Sequence, residues 1–273
     1  SSGEHPRQAS VPRRAGNGSV MKYRAAVFGC GRIGAGFNWP AAPYLYDHCS
    51  AYQALSERVT LEWVFDRDLE RAWVAGQKFG VPSAGGAPWW HELDRMMAEH
   101  PVDVVSICTR PEDRAELVAF LKAHSCIRAA WIEKPLAIGW WPDWKVTVNY
   151  IRRFDPRHVA LQGRVRELWV WAKKDEATVC HFTDLARFWG LPREEGLGYF
   201  ALDGPNSYVA VLDSGAAEFF PLGGLQAGSP FMTNALGNLL DGLEGHAALV
   251  SPPESAVVSE AWAAEILADH AAS

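Results

Sequence analysis

Three glycines in Gly29-Cys30-Gly31-Arg32-Ile33-Gly34 form the first pattern in the chain that can do chemistry. They close a compact apolar run, Tyr23 to Gly29, that reads as a buried strand. After a strand, each glycine has a task. The first admits a tight turn, the second lets backbone approach a pyrophosphate, and the third lets a helix pack on the strand. The helix N-terminus then faces the phosphate charge. The context predicts a dinucleotide loop; an ordinary glycine-rich turn is the bland alternative. Such a loop calls for an acid at the end of the next strand, to accept hydrogen bonds from the adenosine ribose. Asp66 ends the apolar run Leu61 to Asp66 and fits this role, or it caps a helix. It lies 32 residues past Gly34, an excess that falls on Phe37 to His48, whose prolines break a helix and whose aromatics can reach cofactor or substrate. Arg67 beside it can meet a 2′-phosphate, so NAD and NADP both stay open. NAD is favoured because a carboxylate repels that phosphate.

The elements that must position these groups follow from pattern. A helical stretch after Asp68 is closed by Gly80 as a C-cap. Val102 to Thr109 is a third buried strand. Pro111 then opens a helix with Glu112 and Asp113 in its first turn and Leu117, Val118 and Leu121 inward. Ala129 to Glu133 makes a further strand. Strands alternating with helices imply right-handed βαβ units and a doubly wound parallel sheet. Past Pro135 short strands dominate: Lys145 to Tyr150, Glu167 to Trp171, Gly198 to Leu202, Tyr208 to Leu212 and Ala217 to Pro221. Turn signals at Asp203-Gly204-Pro205 and Asp213-Ser214-Gly215 predict that the last three form an antiparallel meander. Two helices finish the chain. The second starts at Ser251-Pro252-Pro253-Glu254, which fits a capping box, with Val258, Trp262 and Ile266 on one face.

The glycine motif, the acid after the second strand, Ser106-Ile107-Cys108-Thr109, Glu133-Lys134-Pro135, Val148-Asn149-Tyr150 and Arg152-Arg153-Phe154-Asp155-Pro156 together resemble the Gfo/Idh/MocA family (glucose–fructose oxidoreductase, inositol dehydrogenase, rhizopine catabolism). The resemblance runs from about residue 22 to the C-terminus and is looser after residue 190. It implies a Rossmann domain over 21–136 and a C-terminal α/β domain over 137–273 with an open, mostly antiparallel sheet. Homodimers or homotetramers through that sheet are implied too. NAD or NADP would be held by Gly29, Gly31, Arg32, Ile33, Gly34, Asp66, Arg67, Cys108, Thr109, Glu133 and Lys134. Lys134 stands at a strand's carboxyl edge, where doubly wound sheets place ligands, and a partly desolvated lysine there can polarise a substrate hydroxyl. The family's matching lysine binds the reacting hydroxyl. His181 matches the histidine that serves as acid/base, with Asp184 three residues on and on the same helical face; a histidine that merely caps or packs is the alternative. Asn149, Arg152 and Arg153 fall where the family's sixth strand enters the substrate cleft, either holding an anion or remaining solvated.

The sequence departs from the family in four places. Ala177 stands where inositol-dehydrogenase-like members carry an aspartate. Only Leu136 to Trp144 separates Glu133-Lys134-Pro135 from the sixth strand, where the family has a full helix. Either one helical turn survives with Trp140, Trp141 and Trp144 filling the gap, or the strand has moved. Arg114 replaces a family histidine, and the stretch from Trp171 to His181 is short.

The chain has 273 residues, 48% apolar and 21% charged, with a net charge of −6, which argues against nucleic-acid or anionic-membrane partners. No apolar run approaches the roughly 18 residues of a membrane span. Residues 1–20 are polar, lack a signal-like apolar segment and are expected to be disordered. Five scattered cysteines without a CxxC pattern suggest neither disulfides nor a metal site, and a cytoplasmic setting. The expected activity is an NAD(P)-dependent dehydrogenase or reductase acting on a CH–OH group of a sugar, polyol or nucleotide-sugar. The alternative is a catalytically impaired, cofactor-retaining binding or regulatory protein of the same fold.

Overall fold

A computed structural model describes residues 22–36, 46–86, 88–124, 126–193, 197–201, 203–221 and 229–272. Strands β1 (Tyr23–Phe28), β2 (Val59–Asp66), β3 (Ser83–Gly85), β4 (Val104–Ile107), β5 (Ala129–Ile132) and β6 (Lys145–Val148) form one sheet in the order β3-β2-β1-β4-β5-β6. Every pairing in it is parallel. Helices α1 (His48–Ala54), α2 (Leu69–Phe79), α3 (Trp89–Glu99) and α4 (Pro111–Lys122) connect the first five strands. This is the doubly wound order, and it reverses between β1 and β4, the switch point at which such sheets bind ligands. Local chemistry sets the ends. Asp68 accepts from the amides of Glu70 and Arg71 to start α2, Gly80 closes it at φ 68°, and Pro111 opens α4. The glycine loop leads into a π-helical turn, Arg32–Gly36, instead of a regular helix. Most of the Phe37–His48 excess lies outside the described residues, and α1 starts at its last residue with Asp47 as cap.

The second half begins with a 3₁₀ turn, Ile151–Phe154, and continues through α5 (Pro156–Ala160), β7 (Val165–Lys173), α6 (Glu176–Phe188), β8 (Leu197–Ala201), β9 (Asp203–Leu212), β10 (Ala217–Phe220), α7 (Phe231–Glu244) and α8 (Pro253–Ala272). Its sheet runs β10-β9-β7-β8. The expected β8–β9–β10 meander is corrected here: β9 pairs antiparallel with β10 and β7, while β8 lies parallel on the far side of β7. The Asp213–Gly215 signal does make a turn, with Gly215 at φ 83°. Asp203-Gly204-Pro205 does not. It extends β9 past a register shift at Asn206 (φ 60°), whose side chain accepts the Lys173 amide at 2.8 Å, and an irregularity of this kind tolerates a proline without an N–H. The capping box is also absent. With α8 starting at Pro253, the Ser251 carbonyl accepts the Val148 amide at 2.9 Å and its hydroxyl has no partner among the described residues. Val258 faces solvent, and Ala256, Ser259 and Ala263 form the buried side of α8 beside Trp262.

The two final helices grip the parallel sheet from opposite faces. Helix α7 buries Phe231, Met232, Ala235, Leu236, Leu239 and Leu240 against the face that carries Ala25, Val27 and Trp131. Helix α8 presents Ala256 and Ala263 to the face of Ala26, Phe28 and Ile132. That second contact explains the short crossover. Residues 133–144 contain no helical turn, yet β6 stays paired with β5. Leu136 and Ile138 are buried, and Trp141 and Trp144 pack on the same cluster; Trp140 remains partly exposed beneath the Lys122 ammonium. Glu260 of α8 accepts hydrogen bonds from the Leu136 amide at 2.5 Å and the Tyr150 hydroxyl at 3.1 Å. A distant helix thus covers the sheet where a local one is missing.

Candidate functional site

At the switch point β1 delivers Gly29 at φ 97°, where a Cβ would stand 2.8 Å from the Cys108 carbonyl. A Cβ on Gly34 would meet the Gly29 carbonyl oxygen at 1.9 Å, so only glycine lets this turn pack on the strand. Gly31 is different. No described atom lies within 4 Å of its Cβ position, and the backbone there is open to a ligand. Asp66 accepts the Cys30 amide at 2.7 Å and the Asp68 amide at 2.8 Å, which fixes the carboxylate beside the loop. Gly29, Gly31 and Asp66 wall a cleft of about 560 Å³ that also takes in Arg67, Asp68, Arg71, Trp89, Cys108, Thr109, Arg110, Glu112 and Asp113. The Thr109 hydroxyl is buried there without a partner among the described residues, a group that a bound ligand would satisfy. Burial pushes the Cys30 and Cys108 thiols up, so both remain neutral. Glycine clearances, a fixed carboxylate and an orphaned hydroxyl together fit an adenine dinucleotide.

The remaining expected cofactor groups sit elsewhere. Arg32 is exposed on the π-helical turn, and Ile33 packs partly on the core. Glu133 is buried, with its Oε1 3.1 Å from His48 Nε2 and accepting from Asn149 Nδ2. His48 Nδ1 lies 2.9 Å from the Ser106 hydroxyl, which is 2.8 Å from the Tyr52 hydroxyl. Burial would raise the Glu133 carboxyl, but the His48 contact, then the Lys134 charge and the Asn149 hydrogen bond, hold it below its usual range. Lys134, just past the end of β5, donates to the Ala177 carbonyl, in the first turn of α6, at 2.8 Å.

One turn further along α6 stands His181, its ring edge-on to Tyr150 at 5.9 Å between centroids. Burial, then the positive charges of Lys134 and Arg152, hold its imidazole well below the usual histidine range. Asp184 is almost wholly buried. Its two oxygens accept from Arg153 Nε at 2.8 Å and Nη2 at 2.6 Å, with Ser259 adding a third bond. Burial still leaves the Asp184 carboxyl raised. Arg153 also donates to the Val250 carbonyl and the Ser255 hydroxyl. Arg152 is buried over the rings of Phe182 and Tyr208. Asn149 accepts from Trp131 Nε1 through the oxygen of the amide that binds Glu133.

Residues 23–154 match the model of an oxidoreductase family with an NAD-binding Rossmann fold, the family named Gfo/Idh/MocA. This segment belongs to the Gfo/Idh/MocA family. No curated protein matches the sequence. Solved structures of similar fold include UDP-N-acetylglucosamine 3-dehydrogenase from Acidithiobacillus ferrooxidans, 14% identical, TM-score 0.62, covering 90% of this chain and 96% of that one. Myo-inositol 2-dehydrogenase from Lactobacillus plantarum is 12% identical with TM-score 0.62, covering 89% and 95%. The super-repressor mutant of Gal80p from Saccharomyces cerevisiae is 9% identical with TM-score 0.62, covering 90% and 95%.

The structure adds residues that spacing did not mark. Trp89 and Asp113 line the cleft although one opens α3 and the other lies in the first turn of α4. His48, Ser106 and Glu260 surround the Glu133-Lys134-Pro135 turn from distant positions. A single sequence carries no signal for such long-range partners. The acid in the first turn of α4 was visible, but not its neighbour across the cleft.

Proposed function

We propose that the protein transfers a hydride between nicotinamide and a carbinol or carbonyl carbon of a sugar, polyol or nucleotide-sugar. NAD supplies the hydride acceptor or donor. Lys134 donates a hydrogen bond from Nζ to the reacting oxygen, and His181 receives the hydroxyl proton on a ring nitrogen. The suppressed basicity of His181 leaves it unprotonated near neutral pH, the state in which it can accept that proton. The observation that carries this reading is the reach of Lys134 from the tip of β5 to the first turn of α6, where its charge acts on His181. Two groups from different halves of the fold thereby share one electrostatic environment.

The test is a panel of polyols, sugars, sugar acids and nucleotide-sugars incubated with NAD+, with NADH absorbance as the readout. Turnover of one class supports the reading; tight NAD+ binding with no turnover across the panel favours a binding or regulatory protein. That second reading has its own support. Asn149, Arg153 and Asp184 are consumed by internal partners, Ala177 offers no carboxylate, and the folds of similar shape include one from a repressor.

We also propose homodimer or homotetramer formation through the outer face of the second sheet. Trp169 and Phe219 both stand opposite Val209 there, and Phe219 is 61% exposed. Light scattering should show an oligomer that Phe219→Lys weakens. No described helix is long and apolar enough to cross a membrane, and the five free thiols support a reducing, cytoplasmic setting.

A further inference from the structure

The coenzyme cleft contains arginines that look suited to a 2′-phosphate, but each is already matched. Arg67 Nη1 lies 2.7 Å from Asp113 and its Nη2 3.3 Å from Glu116, with the guanidinium 5.5 Å from the Trp89 ring centroid. Arg71 pairs with Asp68 at 3.2 Å, and Arg110 with Glu112 at 4.0 Å. Three arginines therefore face four cleft carboxylates, and Asp66 makes no ion pair among the described residues. The unmatched charge lies where the adenosine ribose would bind.

We infer that this cleft selects against 2′-phosphorylated coenzyme, and that Asp113 and Glu116 set the selectivity by drawing Arg67 across to α4. The inference rests on the coenzyme role proposed above. Asp66 supplies acceptors for two hydroxyls and repels a phosphate dianion placed beside it. Arg67, adjacent in sequence, is the cation best placed to offset that repulsion. Both of its acidic partners lie on α4, and its seat over Trp89 holds the guanidinium between them. Each contact is partly exposed and weak alone, so removing both charges is needed to release the arginine.

Titrations with NAD+ and NADP+, read by tryptophan fluorescence and calorimetry, test this directly. Wild-type protein should bind NAD+ at least about tenfold more tightly than NADP+. The double variant D113N/E116Q should narrow that gap by about tenfold, through tighter NADP+ binding. Adding Arg67→Ala to it should restore the gap, whereas Arg67→Ala alone should leave NADP+ binding as weak as in the wild type. Equal affinities in the wild type, or no gain of NADP+ affinity in the double variant, would overturn the inference. Failure of the wild type to bind either coenzyme would instead overturn the coenzyme role itself.

Discussion

Arg67 and Arg153 are the same residue type at two expected ligand positions, and the fold treats them oppositely. Arg67 is about half exposed, on the rim of an open cleft, and its partners are surface carboxylates. Arg153 is almost wholly buried, and its fork closes on Asp184. The same contrast separates the two regions. Around β1 groups stay open among the described residues: a bare Gly31, an orphaned Thr109 hydroxyl, and an Asp66 whose carboxylate accepts only the Cys30 and Asp68 amides. Along α6, Asp184 and the residues facing it are mostly satisfied by one another, so polar character there reports assembly of the two halves as much as ligand recognition.

The largest expected effect tests that division at its tightest point. Arg153→Ala strands the buried Asp184 carboxylate and should lower unfolding free energy by about 3–5 kcal/mol in urea titration. A loss below about 1 kcal/mol would make Arg153 available to a ligand after all. Next comes a pair within the glycine loop. Gly34→Ala drives a Cβ into the Gly29 carbonyl and should cost about 2–3 kcal/mol of stability. Gly31→Ala should change stability by no more than about 0.5 kcal/mol, yet weaken NAD+ binding about tenfold, because that space is where the pyrophosphate approaches. If both variants destabilise alike, Gly31 is structural. Asp66→Ala should weaken NAD+ by roughly 1–3 kcal/mol in calorimetry, the scale of charge-assisted hydrogen bonds; an unchanged affinity removes Asp66 from the site.

The smallest effect concerns pH. Because His181 is less basic than an ordinary histidine, it stays neutral as pH falls through about 6.5 and gains a proton only below that. Turnover that needs the neutral ring should therefore hold through pH 6.5 and fall on a limb at lower pH. A limb at or above 6.5 would mean that the burial and the cations around His181 do not act on the catalytic form.

Much of the first sheet was legible because β1, β4 and β5 are buried almost throughout and, with the Trp63–Phe65 end of β2, read as apolar runs. Gly80 and Pro111 punctuate by backbone geometry alone. Strand β3 has only three residues, too short for any period to register, and α3 beyond it, which Trp89 opens, starts without a side-chain cap. The β7–β8 pairing and the substitution of α8 for a crossover helix depend on contacts that adjacent sequence does not encode. For the site, glycine and acid positions were legible because backbone conformation demands them. The direction of Asn149 or Arg153 was not, since His48 acts on Glu133 from 85 residues away and Asp184 on Arg153 from 31.

The most direct measurement pairs an NAD+ titration with steady-state turnover on wild-type protein and Lys134→Ala, using the substrate class found active. The account predicts NAD+ affinity within about threefold of wild type and turnover lower by roughly 10²–10⁴-fold. Undiminished turnover in Lys134→Ala would contradict it.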